Sequence, residues 1–308
     1  ALNVMSGLHR AGFQAYLVGG GVRDLLLGGR PKDFDIATDA TPEQVEKLFR
    51  SARIIGRRFK IVHVRFGREV IEVTTFRGSH NAQQQIQGKR PGNKISAKNE
   101  AGMLLRDNVF GTLEEDAIRR DFTINALYYT TEDFAIYDYT QGIEDLHNKI
   151  VRIIGDPETR YREDPVRMLR AARFAAKLDF EIEVKTATPI AELADILRDI
   201  PAARLFDESL KLLMSGYGAA TFEQLQRFNL FAPLFPEAAD AIEAGQPRAE
   251  KLIRQALINT DERINQGKPV TPAFIFAAIL WPAVERRHAE LMAEGIPEVP
   301  ALHQASHE

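Results

Sequence analysis

Hydrophobic and polar positions in the first 75 residues switch between two periods. Leu2–Arg10 spaces its apolar residues as a helix does and stops at Gly12, whereas Phe13–Val18 reads as a short strand. Gly19-Gly20-Gly21 breaks the pattern ahead of the compact apolar stretch Val22–Leu27. Asp33–Thr38 alternates polar Asp33 and Asp35 with Phe34 and Ile36, which predicts a strand. Thr41-Pro42-Glu43-Gln44 predicts a helix start, with Thr as cap, Pro at the first helical position and Gln44 closing a capping box. Ile61–Phe66 and Val70–Thr75 flank Gly67-Arg68-Glu69 as the arms of a hairpin. Periodicity fades over 77–108, where Gln83-Gln84-Gln85, Lys89-Arg90-Pro91-Gly92, Lys94 and Lys98 make a polar, basic stretch expected to be a flexible insertion. From Glu114 the pattern is helical, with a strand signal at Phe134–Tyr139. Beyond residue 160 helices are expected over Asp164–Lys177, Ala187–Leu197, Arg204–Met214, Ala219–Phe228, Arg248–Leu257 and Thr271–Ile279. The fold class implied is α+β, a mixed α/β head followed by an all-helical remainder, with no internal repeat.

Composition narrows this picture. At 308 residues, 44% apolar and 27% charged, the chain has material for about two domains with ordinary cores, and widespread disorder is excluded. No apolar run approaches the ~20 residues of a spanning helix and no apolar segment opens the chain. The expectation is a cytoplasmic protein, neither secreted nor membrane-embedded. The absence of cysteine removes disulfides and thiolate metal sites. A start at Ala1 and an end at Ser306-His307-Glu308 suggest a piece of something longer. The net charge of −3 hides an asymmetry: Arg50, Arg53, Arg57, Arg58, Lys60, Arg65 and Arg68 form a stripe without an acid. A polyanion would meet the protein there.

Candidate chemistry begins at Asp33-Phe34-Asp35. Two apart in a strand, both carboxylates would project from one face while Phe34 and Ile36 enter the core. Carboxylates that close repel unless a cation sits between them, and Mg²⁺, held by one or two carboxylates plus substrate phosphates, suits that place. Glu72, between Ile71 and Val73, would point away from the core and could complete the acidic set, with Asp121 as its rival. Upstream, Gly20 and Gly21 would let backbone approach a phosphate, to which Arg23 adds a donor fork. A dinucleotide-binding fingerprint fails because its last glycine would fall on Asp24, and no P-loop pattern exists.

Together, Leu17 to Gly28 and Lys32 to Ile36 resemble the head motif of the class II nucleotidyltransferases of the polymerase β superfamily, a family of CCA-adding enzymes and bacterial poly(A) polymerases. Three further stretches are similar to family motifs. Glu115 to Asn125 resembles the ribose-recognition motif, Arg162 to Arg170 the base-recognition motif, and Ala203 to Glu208 the helix-stabilising motif. The resemblance implies a nucleotidyltransferase head at 1–150, a helical neck at 151–215 that reads the base, and a helical, RNA-binding body at 216–308. It implies nucleotidyl transfer at a two-metal site of Mg²⁺, with Mn²⁺ as substitute, where Asp33 and Asp35 hold the metals. Arg120, Asp121 and Asn125 would meet the ribose, whose 2′-hydroxyl both donates and accepts. Asp164 and Arg167, three apart and so neighbours on one helical face, would read the base edge, with Arg170 in the same motif.

Between the two activities, Ile54 to Val64 resembles the stretch that separates poly(A) polymerases from their CCA-adding relatives, and it places Arg57, Arg58 and Lys60 in the basic stripe as candidate RNA contacts. The expected function is therefore a template-independent poly(A) polymerase, using ATP on RNA 3′ ends and marking RNA for decay. The alternatives are a CCA-adding enzyme acting on transfer RNA and, from another class, an inactive RNA-binding adaptor. The intact carboxylates speak against the adaptor, which gains nothing from groups that repel phosphate.

Overall fold

The computed structural model describes residues 1–56, 60–67, 69–78, 96–98, 104–107, 110–246 and 248–307. It divides into two compact units, Ala1–Asp164 and Pro165–Glu308.

In the first unit, α1 (Leu2–Arg10) turns Val4, Met5 and Leu8 inward. Strand β1 (Ala15–Val18) is buried along its whole length. Gly19 then takes φ 74° and ψ −137°, a conformation open to glycine, and α2 (Gly20–Leu26) starts at the next residue. After β2 (Asp35–Thr38) comes α3 (Pro42–Leu48), whose capping box is complete: the Gln44 amide N–H donates to Thr41 Oγ1 at 3.3 Å and the Thr41 N–H to Gln44 Oε1 at 2.8 Å. Strands β3 (Ala52–Ile55), β4 (Ile61–Phe66) and β5 (Glu69–Thr75) follow, the last two forming the expected hairpin. Within the stretch read as an insertion, β6 (Ser96–Lys98) pairs with β7 (Leu104–Asp107); the remainder of 79–109 lies outside the described residues. The unit continues through α4 (Leu113–Arg119), a 3₁₀ turn at Thr123–Asn125, β8 (Leu127–Tyr129), β9 (Ile136–Asp138), α5 (Gly142–His147) and α6 (Pro157–Glu163).

Among the described residues, seven strands make one sheet in the order β3-β4-β5-β2-β1-β8-β9. Every pair is antiparallel except β2 with β5, which is parallel and sets Asp35 beside Glu72. Tyr16, Val18, Ala37, Phe76, Leu113, Ala117 and Tyr128 fill a core in which the Tyr16 ring meets Tyr128 edge-on at 6.2 Å.

The structure corrects the expected elements at two places in this unit. Strand β2 starts at Asp35, so Asp33 is not a strand residue: β1 ends at Val18, opposite Asp35, where Gly19 turns the chain away and leaves Asp33 no ladder partner. The region after Glu114 is not helical through to Phe134. Leu127-Tyr128-Tyr129 is a sheet strand with Leu127 and Tyr128 buried, and a strand covered on both faces shows no alternation.

The second unit is helical: α7 (Val166–Leu178), α8 (Val184–Ala187), α9 (Ile190–Leu193), α10 (Ala202–Leu213), α11 (Gly218–Arg227), α12 (Phe231–Leu234), α13 (Pro236–Glu243), α14 (Ala249–Asn265), α15 (Pro272–Ala293) and α16 (Glu298–Ala305). Phe222, Phe231, Phe235, Phe276 and Phe206 contact one another in succession from α11 to α15 and back to α10, with centroids 4.9–6.0 Å apart. Expected helix Ala187–Leu197 is instead broken at Pro189, which has no N–H to give to the helix ladder. Helix α15 outruns its expected end at Ile279 and passes through Pro282, where burial of Ile275, Ile279, Pro282 and Leu291 offsets the missing backbone donor.

A carboxylate from α14 caps α11. Asp261 Oδ1 and Oδ2 accept the N–H groups of Gly218 and Ala219 at 2.7 and 2.9 Å, while burial pushes the carboxyl pKa up. Asp261→Ala should cost about 1–2 kcal/mol, the worth of a lost cap. A urea midpoint equal to that of the wild type would show that water replaces the carboxylate. No helix among the described residues is long and apolar enough to cross a membrane.

Candidate active site

The site begins where the parallel strand pair exposes its polar edge. Asp35 opens β2, with Glu72 as its register partner on β5. Alternation buries Ile71 and Val73 and leaves Glu72 on the opposite face, as its neighbours in the sequence imply. Burial, then the charges of Glu72 and Asp33, push the Asp35 pKa up to about 6, against the opposing pull of Arg120. Three carboxylates thus share one electrostatic neighbourhood. His63 on β4 faces Glu72 across the hairpin, its Nε2 lying 3.2 Å from Glu72 Oε1. Exposed Asp33 sits against the glycine turn: a Cβ placed on Gly21 would lie 3.5 Å from the Asp33 carbonyl oxygen.

Arg23, expected to offer its fork to phosphate, is buried and turned inward. Its Nε and one terminal nitrogen donate to Asp24 Oδ1 at 2.8 and 2.6 Å, and the other to Asn125 Oδ1 at 2.6 Å. Asn125 Nδ2 in turn donates to Asp121 Oδ1 at 3.3 Å, which also accepts the Phe122 N–H. The glycine turn and the ribose motif, a hundred residues apart in sequence, are joined through Arg23 and Asn125.

Arg120 lies in a second network. It donates to Asp116 Oδ2 and, at 2.7 Å, to the Tyr128 hydroxyl, which itself donates to Asp116 at 2.6 Å. Burial opposes the Arg120 charge, but Tyr128 and Asp116 outweigh it and raise its pKa. Burial also raises that of Tyr128. Arg160 on α6 donates to the carbonyls of Arg119 and Arg120, both at 2.7 Å, and so fixes the end of α4.

The base motif is not on one helix. Asp164 is the C-cap residue of α6, with φ −151° and ψ 94°, and α7 begins after Pro165. A residue before proline is driven out of the helical region. Asp164 and Arg167 therefore do not share a helical face, which corrects the expectation. Arg167 and Arg170 are half-buried on α7, the latter over the Phe174 ring. Lys60 is exposed and pairs with Glu43 at 2.7 Å. Arg57, Arg58 and Arg68 of the basic stripe lie outside the described residues.

Sequence reasoning missed Asp116, Tyr128, His63 and Arg160. Asp116 was within reach, four residues before Arg120, the residue that ends α4. His63 was within reach only once β4 and β5 were paired in register.

The acidic donors fit a hard divalent cation. Burial first, and then the neighbouring carboxylates, raise the Asp35 pKa, and a bound cation would offset both. Among the described residues no cluster of three or more ligating side chains could hold an ion on its own.

The chain is similar to known proteins. Residues 15–152 match the family described as "Poly A polymerase head domain", and residues 179–242 match "Probable RNA and SrmB- binding site of polymerase A". Poly(A) polymerase I of Salmonella typhimurium is 57% identical over 91% of this chain and 59% of its own length, and that of Haemophilus influenzae 52% over 96% and 64%. The CCA-adding enzyme of Lactobacillus helveticus is 40% identical over 72% of this chain and 52% of its own. A solved Bacillus stearothermophilus CCA-adding enzyme in complex with CTP superposes with a TM-score of 0.63 at 28% identity, covering 99% of this chain and 80% of that one. The chain belongs to the poly(A) polymerase family of nucleotidyltransferases, with CCA-adding enzymes as close relatives. It spans 59% of the length of the Salmonella relative.

Proposed function

We propose that this chain is a template-independent polynucleotide adenylyltransferase of the cytoplasm, moving AMP from ATP to RNA 3′ ends, releasing pyrophosphate and tagging RNA for decay. The observation that carries this reading is the acidic row of Asp35 and Glu72, with Asp33 beside the glycine turn, in a head of this family. Greater identity to the poly(A) polymerases than to the CCA-adding enzyme, 57% against 40%, supports poly(A) addition.

Asp33 and Asp35 would hold Mg²⁺, which stabilises the attacking and leaving oxygens of an in-line displacement. Glu72 is the third carboxylate, placed beside Asp35 by the parallel register. Gly20 and Gly21 allow backbone to approach the triphosphate, and Arg23 orients Asn125 instead of reaching out itself. Asp121 and Asn125 supply an acceptor and a donor to the ribose 2′-hydroxyl. Arg120 holds the end of α4 in place for them. Asp164 would offer acceptors and Arg167 donors to the adenine edge, and Arg170 belongs to the same sequence motif. Residues 151–215 would serve as neck and 216–308 as body, and Arg57, Arg58 and Lys60 as contacts to RNA phosphates.

Guanine and uracil present the wrong edge to an acceptor–donor pair, and a site of this kind rejects a mismatched partner by several orders of magnitude. Cytosine shows the same edge as adenine, so its rejection falls to pocket geometry. The expected result is long AMP tails on generic RNA, negligible use of GTP and UTP, and poor use of CTP, read on a primer-extension gel. A halt after two C and one A on a transfer RNA lacking its 3′ end, with little tailing of generic RNA, would give the site to CCA addition.

A further inference from the structure

One residue of the Ile54–Val64 stretch touches the acidic row directly. On the face of the sheet that carries Asp35, a line of register partners crosses four neighbouring strands: Arg53 on β3, His63 on β4, Glu72 on β5 and Asp35 on β2. Basic groups occupy one end of this line and carboxylates the other. Val62 and Val64 are buried on the reverse face, so β4 cannot slip by one residue without burying His63 and exposing both valines. The backbone thereby fixes His63 opposite Glu72. With its proton on Nε2, the imidazole donates to Glu72 Oε1 across 3.2 Å.

Glu72 needs such a partner. Its side chain is 47% exposed and carries several freely rotating bonds, whereas Asp35 is short and held in the ladder. The charge of Glu72 reaches Asp35 strongly enough to help raise its pKa. A hydrogen bond from the far side of Glu72 selects the orientation that keeps this carboxylate in the row. Arg53, next along the line, donates to its own neighbour's carbonyl, that of Ala52, at 2.8 Å and leaves His63 as the contact to Glu72.

We propose that His63 is a positioning residue for nucleotidyl transfer: it holds the Glu72 carboxylate beside Asp35 and does not itself touch substrate. The inference rests on the reading of the site as an ATP-dependent RNA adenylyltransferase with Glu72 as third carboxylate. Outer partners that orient charged site residues typically change activity by about 10–100-fold when removed. His63→Leu keeps the bulk and removes the donor. It should lower kcat by about tenfold, the low end of that range, with KM for ATP and for RNA within about twofold and an unchanged melting temperature. His63→Gln restores an N–H donor at similar reach and should return kcat to within about threefold of wild type. In a Glu72→Gln background, His63→Leu should add no further loss, because the carboxylate it orients is gone.

The experiment is ATP-dependent extension of a generic RNA by the whole chain, wild type and variants side by side, with thermal melts of each. Wild-type extension with an unaffected His63→Leu overturns the role of His63 alone. So does a loss in His63→Leu that glutamine does not restore, or one that persists undiminished in the Glu72→Gln background. Failure of the wild type to add AMP overturns the reading of the site, and the inference with it.

Discussion

Asp35→Asn is expected to abolish AMP addition and at the same time to stabilise the metal-free protein. On the proposed reading, losing Asp35 as a charged ligand removes several kcal/mol of transition-state stabilisation, a fall on the order of a thousandfold in rate. Stability moves the other way. In the folded chain the Asp35 pKa stands near 6, above its ordinary value of 3.8, because the site is buried and shared with Glu72 and Asp33. The folded state holds this proton more tightly than the unfolded state does. Its contribution to stability is therefore present below pH 3.8 and lost as the pH rises through about 6. The displacement corresponds to about 3 kcal/mol once the carboxyl is ionised. In chelator, Asp35→Asn should melt several degrees above wild type at pH 7.5, and the gap should close near pH 4. Mg²⁺ should narrow the gap at pH 7.5 by favouring the ionised wild type. Equal melting at both pH values would mean that neither burial nor the acidic neighbours act on Asp35, and full activity would remove it from the metal site.

Asp116→Ala should strongly destabilise the first unit. Its carboxylate accepts from Arg120, from the Tyr128 hydroxyl and from the Arg77 N–H, and it is nearly inaccessible to water. Alanine leaves the Arg120 guanidinium without its counter-charge beside a phenol whose acceptor is gone. Breaking a buried pair from one side costs about 3–5 kcal/mol, a large part of the stability of an ordinary domain. Urea denaturation should show a midpoint shifted down by that amount, with a smaller loss for Asp116→Asn, which keeps an acceptor. A loss below about 1 kcal/mol would show that the network is dispensable, and that Arg120 is held mainly by its cation–π contact with Tyr128.

Local signals in the sequence located much of this fold. Helix α1 kept its expected ends because its apolar spacing and the glycine after it agree, Gly12 standing at φ +84°. Helix α3 was legible from Thr41 and Gln44 alone, since a capping box is a contact between residues three apart. Glu72 could be aimed correctly from its buried neighbours. What was not legible depends on partners distant in sequence. The loss of Asp33 from β2 follows from where β1 ends, and β8 is hidden by burial on both faces. The inward turn of Arg23 is decided by Asn125, a hundred residues away. The break at Asp164 is different: Pro165 announces it, but the apolar periodicity of the helix that follows is a stronger signal than the one residue that interrupts it.

The two ends of the seven-stranded sheet bear on how the protein behaves when crowded. An edge strand offers unpaired backbone groups to any passing strand, and long, flat, apolar edges recruit copies of themselves. Here both edges are brief. Strand β9 has three residues, and β3 has four, with a charged Arg53 exposed at its second position. The long buried strands sit inside, between partners. A sheet with so little open ladder gives an added chain few hydrogen bonds to form, and an arginine to bury in forming them. Edges this short disfavour self-association through the sheet.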